Sequence, residues 1–249
     1  MTNINSDNHR GDTTPTADCV ICKYKTSLLL SGRCVPGDIC IAAESGRQID
    51  RFLRFNPRYA SNYLADPFWE RRAIAVRYSP SELLLDMVND EDEVVRRAVA
   101  YRLPAEHLTK LINDPDREVR ITVADRLPQN QLHRLIDDID YLVRTYVARR
   151  IEPGRLFTMA ADHDRGVRKA VAERLPEISL PLLSQDPEVE IRREVAKRMP
   201  ADMGVMMLND PDWTVRYEAA QKVAVTELEC LVDDSEEEIR QLVTERRAR

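Results

Sequence analysis

The chain has 249 residues, enough for one or two ordinary domains, and its 43% hydrophobic content includes only 6% aromatics, so a core must be built from Leu, Val, Ile and Ala. With 32% charged residues and a net charge of -6, it lacks the basic excess that general nucleic-acid binding leaves in a sequence, although a local basic groove stays open. No apolar run approaches the ~20 residues of a membrane span, which excludes a spanning helix.

Residues 1–18 are rich in Asn, Thr, Asp and Ser and contain no apolar segment. They are expected to form a disordered polar tail and not a secretory signal, which places the chain in the cytoplasm. In a reducing compartment clustered cysteines read as metal ligands more readily than as disulfides. Four of the five cysteines cluster: Cys19 and Cys22 form a Cys-x-x-Cys pair, Cys34 follows after eleven residues and Cys40 after five more. A Cys-x-x-Cys pair lets two thiolates reach one metal from a single turn, and Gly32, Pro36 and Gly37 supply the bends between the pairs. Four thiolates suffice for a 4Fe–4S cluster or a tetrahedral zinc. The second pair is wider than a compact zinc knuckle, yet the spacing alone leaves both metals open. Cys230, isolated near the C-terminus, reads as a small packed side chain.

Next, Arg47, Arg51, Arg54 and Arg58 recur at intervals of four, three and four, with Ile49, Phe52, Leu53 and Phe55 between them. This spacing predicts an amphipathic helix over 44–55, ended by Asn56 and Pro57. Its basic face either caps a helical array as a solvated surface or docks an acidic partner or phosphate. Residues 19–65 then form a small four-cysteine cluster domain with a capping helix.

From Asp66 onward the sequence repeats every 24 residues. Asp66, Asp90, Asp114, Asp138, Asp162, Asp186, Asp210 and Asp234 mark position 1 of seven full units and a partial eighth. A fixed period of this length means a solenoid, each unit burying its apolar face against its neighbours. Asp at position 1, often followed by Pro, reads as the helix start. Position 6 is Val or Ile from Val95 to Ile239, position 10 mostly Val and position 14 mostly Leu, Ile, Met or Val, one buried helical stripe, with Ala at most position 11 sites. Pro at position 15 (Pro80, Pro104, Pro128, Pro176, Pro200) stops that helix. Leu at position 19 and Leu or Met at position 22 then leave room only for a short 3₁₀ helix. The fold class is therefore all-α: a right-handed superhelical solenoid over 66–249. In the first unit Arg71 and Arg72 compete for the arginine of position 7, which predicts a one-residue slip there.

Position 7 is Arg in every unit and position 13 is Arg or Lys from Arg102 onward. An acid at position 3 stands four residues before the position 7 Arg, a favourable helical pair worth ~0.2–0.5 kcal/mol. That Arg is also within reach of a neighbouring unit's Asp. The columns thus read first as an ion-pair ladder and second as a groove for phosphate.

Unit Asp114-Pro-Asp-Arg-Glu-Val-Arg-Ile-Thr-Val-Ala-Asp-Arg-Leu-Pro128, continuing to Leu132, Leu135 and Ile136, with four cysteines directly before the array, resembles the leucine-rich-repeat-variant proteins of nitrogen-fixing bacteria. The resemblance extends over nearly everything after residue 18. It implies alternating α and 3₁₀ helices without sheet, and an N-terminal 4Fe–4S cluster held by Cys19, Cys22, Cys34 and Cys40, with zinc the alternative. It implies a cofactor and says nothing of a task.

Three functions follow from the residues. The first is a non-enzymatic scaffold that binds a protein partner, with a cluster for electron transfer or redox sensing at one end. The second is nucleic-acid binding through the arginine columns and the 47–58 face. The third, an enzyme, lacks support, because His107, His133 and His163 fall out of register in their units and no catalytic motif stands out.

Overall fold

The computed structural model describes residues 15–248. Most of the expected disordered tail, at 1–14, lies outside the described residues. Packing divides the chain after Thr122 into two compact units. The first holds the cysteine module, α1 (Gly46–Phe55), α2 (Trp69–Tyr78) and α3 (Glu93–Arg102), and α4 (Arg117–Arg126) begins there. The second holds α5 (Tyr141–Arg150), α6 (Arg165–Ala172), α7 (Val189–Arg198), α8 (Trp213–Ala220) and α9 (Glu237–Arg247). A 3₁₀ helix precedes each α-helix from α2 onward. Among the described residues there is no β-strand, only an isolated bridge between Val35 and Ile39.

The repeat chemistry explains the alternation. Val95, Val99 and Leu103 in and after α3, and Val167, Val171 and Leu175 in and after α6, are fully buried, as are Ala100 and Ala172 at position 11. Pro104 follows α3 and opens the next segment: its extended ψ of 143° turns the chain, and its carbonyl accepts the His107 amide at 3.0 Å. The 3₁₀ helices mostly run seven residues, such as Ala105–Leu111 and Glu177–Leu183, longer than this helix type usually sustains. Their apolar pairs account for the length. Positions 19 and 22 are three residues apart, one 3₁₀ turn, so Leu108 with Leu111 and Leu180 with Leu183 form one buried stripe. Where Gly204 replaces the position 19 Leu, the helix shrinks to Gly204–Met207.

Two expectations need correction. Position 1 Asp does not cap the α-helix; Asp at position 3 does, whereas Glu188 and Glu236 at that position make no side-chain cap. Asp92 Oδ1 accepts the Val94 and Val95 amides at 2.9 and 3.4 Å, and Asp164 accepts those of Gly166 and Val167. Asp92, Asp116, Asp164 and Asp212 at position 3 are thus engaged by the backbone of their own helix start. Asp164→Ala is accordingly expected to cost ~1 kcal/mol of stability, measurable by denaturant unfolding, with Asp164→Asn close to neutral. Nor does the first unit slip. Arg72 takes the ladder place on Asp90, and Arg71 pairs instead with Asp66 at 2.7 Å.

Position 1 Asp receives the ladder. Arg168 Nε and Nη2 donate to Asp186 at 2.7 and 3.2 Å, and its Nη1 donates to the Asp162 and His163 carbonyls. The same arrangement joins Arg96 to Asp114, Arg144 to Asp162, Arg192 to Asp210 and Arg216 to Asp234. Each such Asp also accepts an amide two residues on, for example Glu188 N–H on Asp186 at 2.9 Å. Position 13 bases close the other end of the preceding helix. Arg174 donates to the Ala148 and Ile151 carbonyls, and Lys222 to those of Lys197 and Met199. Burial holds the Arg174 and Lys222 side chains below their ordinary values.

The ladder has a pH signature. Burial alone would raise the Asp162 carboxyl, but the Arg144 bonds and the Asp164 amide outweigh it, and Asp234 is lowered chiefly by its bond from Arg216. A carboxyl held low stabilises the fold above the unfolded value of about 3.9 and loses that contribution as pH falls through the folded value. The melting temperature is therefore expected to hold steady from pH 7 to 5 and to drop below pH 4. A melting temperature still flat at pH 2.5 would contradict the ladder's role.

Candidate metal centre

The cysteine module is a short chain of turns wrapped on α1. Lys25–Leu29 forms one π-helical turn, which neither the cysteine spacing nor the hydrophobic pattern foretold. Gly32 and Gly37 take φ of 68° and 77°, left-handed values suited to glycine, and these bends set the loop on either side of Cys34. Val35 and Ile39 exchange backbone hydrogen bonds of 2.9 and 2.8 Å, a small hairpin. Cys34 and Cys40 occupy the two positions flanking that pair, so the register sets them side by side. The Cys40 amide is tied to the Gln48 carbonyl of α1 at 3.2 Å.

Asp38, at the hairpin tip, accepts from Arg47 at 3.3 Å and forms a close ion pair with Arg51. Two arginines of the expected basic face are thereby turned inward on the cysteine loop. The other two stack on neighbours: Arg54 over Phe55, and Arg58 over Tyr59 with the ring centre 4.8 Å away. Asp38 is the residue that sequence reasoning missed. Its position four residues after Cys34 and its single negative charge among these arginines were the available signal.

Beneath the loop lies one core containing Tyr24, Leu28, Cys34, Ile49, Phe52 and Leu53, continued by Ile74 and Ala75 of α2. The module thus rests directly on the first repeat helix. The Tyr24 ring lies 5.3 Å from Phe52 and 5.0 Å from Tyr59, and its hydroxyl accepts from Tyr63 at 3.0 Å. Burial, then that bond, push the Tyr63 hydroxyl well above its usual value, so it stays protonated. An open cleft of about 470 Å³ borders this corner, lined by Cys22, Lys23, Tyr24, Tyr63, Ile41 and Arg71 among others.

Cys34 and Cys40 are buried, Cys19 and Cys22 half-buried, and none is in a disulfide. Burial first, then the charges of Cys40, Cys22 and Cys19, push the Cys34 thiol up to about 11. Among the described residues no three Cys, His, Asp or Glu side chains close into a formed metal-binding group. Cys34 and Cys40 are buried on the core of the module, where thiolates are unfavourable unless a cation balances them. An all-thiol donor set of this kind suits iron–sulfur ligation. Cys230, by contrast, is exposed on Val225–Leu231 and not packed as expected, because position 21 faces outward.

Comparison with known proteins identifies the family. Residues 14–62 match the family described as "LRV protein FeS4 cluster", and residues 94–116 match "Leucine rich repeat variant". A solved structure described as "a leucine-rich repeat variant with a novel repetitive protein structural motif" is 60% identical, covers 94% of this chain and 100% of that one, and superposes with a TM-score of 0.86. An "uncharacterized 27.7 kDa protein in nifB 3'region" of Rhodobacter capsulatus is 39% identical over 87 residues. That match spans 35% of this chain and 35% of the relative's length. No helix among the described residues is long and apolar enough to cross a membrane. Shared sequence along almost the whole chain, the same stacked α and 3₁₀ repeats, and a cysteine module ahead of them place this chain in the leucine-rich repeat variant family, with an FeS4 cluster domain at its N-terminus.

Proposed function

We propose that the protein is a non-enzymatic iron–sulfur scaffold of the cytoplasm: Cys19, Cys22, Cys34 and Cys40 hold a 4Fe–4S cluster, and the repeats present a surface to a protein partner. What supports this is the match of residues 14–62, a span that holds all four cysteines, to the FeS4 cluster family, with Cys34 and Cys40 buried. When bound, such a cluster supplies one-electron transfer or a redox-dependent charge. The chain's own residues position the donors. Asp38, held by Arg47 and Arg51, anchors the loop that bears Cys34 and Cys40, and the Gln48 carbonyl fixes the Cys40 amide. Since all four donors are thiols, no protein ligand position is left for a substrate, which favours electron transfer or structure over catalysis.

Partner docking near the cluster draws on Arg54 and Arg58, which are exposed and, among the described residues, carry no ion pair to an acid, and less on Arg47 and Arg51, already turned to Asp38. Nucleic-acid binding has less to draw on. The position 7 guanidiniums place Nε, Nη1 and Nη2 on carboxylate and carbonyl oxygens, and the position 13 bases face helix-end carbonyls, which leaves these columns few donors for phosphate.

The test is anaerobic purification with iron, acid-labile sulfide and zinc measured together, and visible absorption followed on reduction. About four irons and four sulfides per chain, with a bleachable brown chromophore, is the expected result. Stoichiometric zinc without colour would replace the cluster by a structural knuckle.

A further inference from the structure

In Val123–Arg249 the 3₁₀ helices form a polarised face. Their buried stripe lies at positions 19 and 22, so positions 17, 18, 20 and 21 point outward. On the three central rows these outward positions include exposed apolar side chains: Phe157 is 56% exposed, Ile178 79%, Leu182 60% and Met206 51%. Large exposed apolar side chains on three successive repeats point to a contact surface. The flanks differ in sign. Exposed Arg134 and Arg155 lie on the two rows before Glu177–Leu183, and exposed Asp202, Glu227 and Glu229 on the two segments after it. Arg155 has only a 3.9 Å approach from Glu152 on its own chain, and Glu229, paired with Arg247, keeps 81% of its side-chain surface exposed.

A face that is basic at one end, apolar in the middle and acidic at the other is complementary to itself. The geometry points to a second copy of this chain as its occupant, in an isologous dimer with the two-fold axis running along Glu177–Leu183. That operation sets Leu182 against Leu182 and Phe157 (position 20) against Met206 (position 21). It brings Arg155 (position 18) to Asp202 (position 17), and Arg134 (position 21) to Glu229 (position 20). An isologous contact repeats each off-axis pair twice, and these pairs set no Arg against Arg and no acid against acid; exposed Glu177, on the axis row itself, is the one acid that faces its own copy. A head-to-tail contact would instead set apolar rows against charged ones. This assignment uses only the second unit and does not depend on what the cysteines hold.

Sedimentation velocity on the full, metal-loaded chain over 1–200 μM tests it. A concentration-dependent dimer is expected, weakened at least about tenfold in Kd by Leu182→Glu. Charge reversal carries the specificity: Arg155→Glu is expected to weaken the dimer and Arg155→Glu with Asp202→Arg to restore it. All these side chains are exposed, so the variants keep their fold, as circular dichroism would verify. A chain that is monomeric throughout the range overturns the inference, and so does a dimer indifferent to both Leu182→Glu and Arg155→Glu.

Discussion

Arg168→Ala is expected to lower the stability of the second unit by about 3–5 kcal/mol, among the largest single-residue losses in the chain. The side chain is 11% exposed and its Asp186 partner 2% exposed. Removing the guanidinium leaves a buried carboxylate that still accepts from the Glu188 amide, and removes the donor from the Asp162 and His163 carbonyls. The loss is thus mainly the cost of an unbalanced buried charge and not the worth of the pair. Two companion variants separate these terms. Arg168→Lys keeps the charge but cannot make the two parallel bonds to Asp186 or reach both carbonyls at once, so it should fall in between. Arg168→Met with Asp186→Leu removes both charges and should recover most of the stability. Because repeats contact their neighbours only, the transition need not be two-state, and amide exchange in α6 and α7 is the appropriate probe. Exchange rates unchanged in Arg168→Ala would show that the ladder decorates the stack without holding it.

Much of this ladder is legible in the residues alone. A 24-residue period dictates the stacking, and period-four aliphatics at positions 6, 10 and 14 dictate the buried stripe. What stays ambiguous at that level is which partner each acid takes. An Asp at position 1 and an acid at position 3 both satisfy the rules for a helix start, and local spacing favours pairing position 3 with the position 7 Arg. The choice is made by a contact 18 residues away, Arg168 to Asp186, which exists only after the units stack. Once position 1 is occupied from the preceding unit, position 3 is left to cap. The same non-local contact settles Arg71 against Arg72, since Arg72 is the one that reaches Asp90. In the cysteine module the donors are legible as a set but their arrangement is not. The Val35–Ile39 hairpin and the Asp38 clamp depend on two left-handed glycines and on α1 arginines that read as a free basic face, and neither leaves a periodic trace.

Cys34→Ser is expected to abolish the brown chromophore and to drop iron from about four per chain to near zero, whereas Cys230→Ser leaves both unchanged. Of the four thiols Cys34 is the one placed in the module's core: it sits 6% exposed with Tyr24 and Phe52. A hydroxyl there is a poor iron ligand and, buried among apolar groups, brings an unpaired donor into the core. The consequence should therefore extend beyond the metal. The module packs on Ile74 and Ala75 of α2, so its loosening is expected to speed amide exchange in α1 and α2, while α6 to α8 stay protected. Cys22→Ser, at a half-buried position beside the cleft, removes a ligand with less damage to packing. Loss of iron with unchanged exchange in Cys22→Ser, set against loss of both in Cys34→Ser, would separate the ligand role from the core role. A Cys34→Ser protein that keeps its full iron and colour would remove Cys34 from the donor set, and with it the four-thiol centre on which the electron-transfer reading rests.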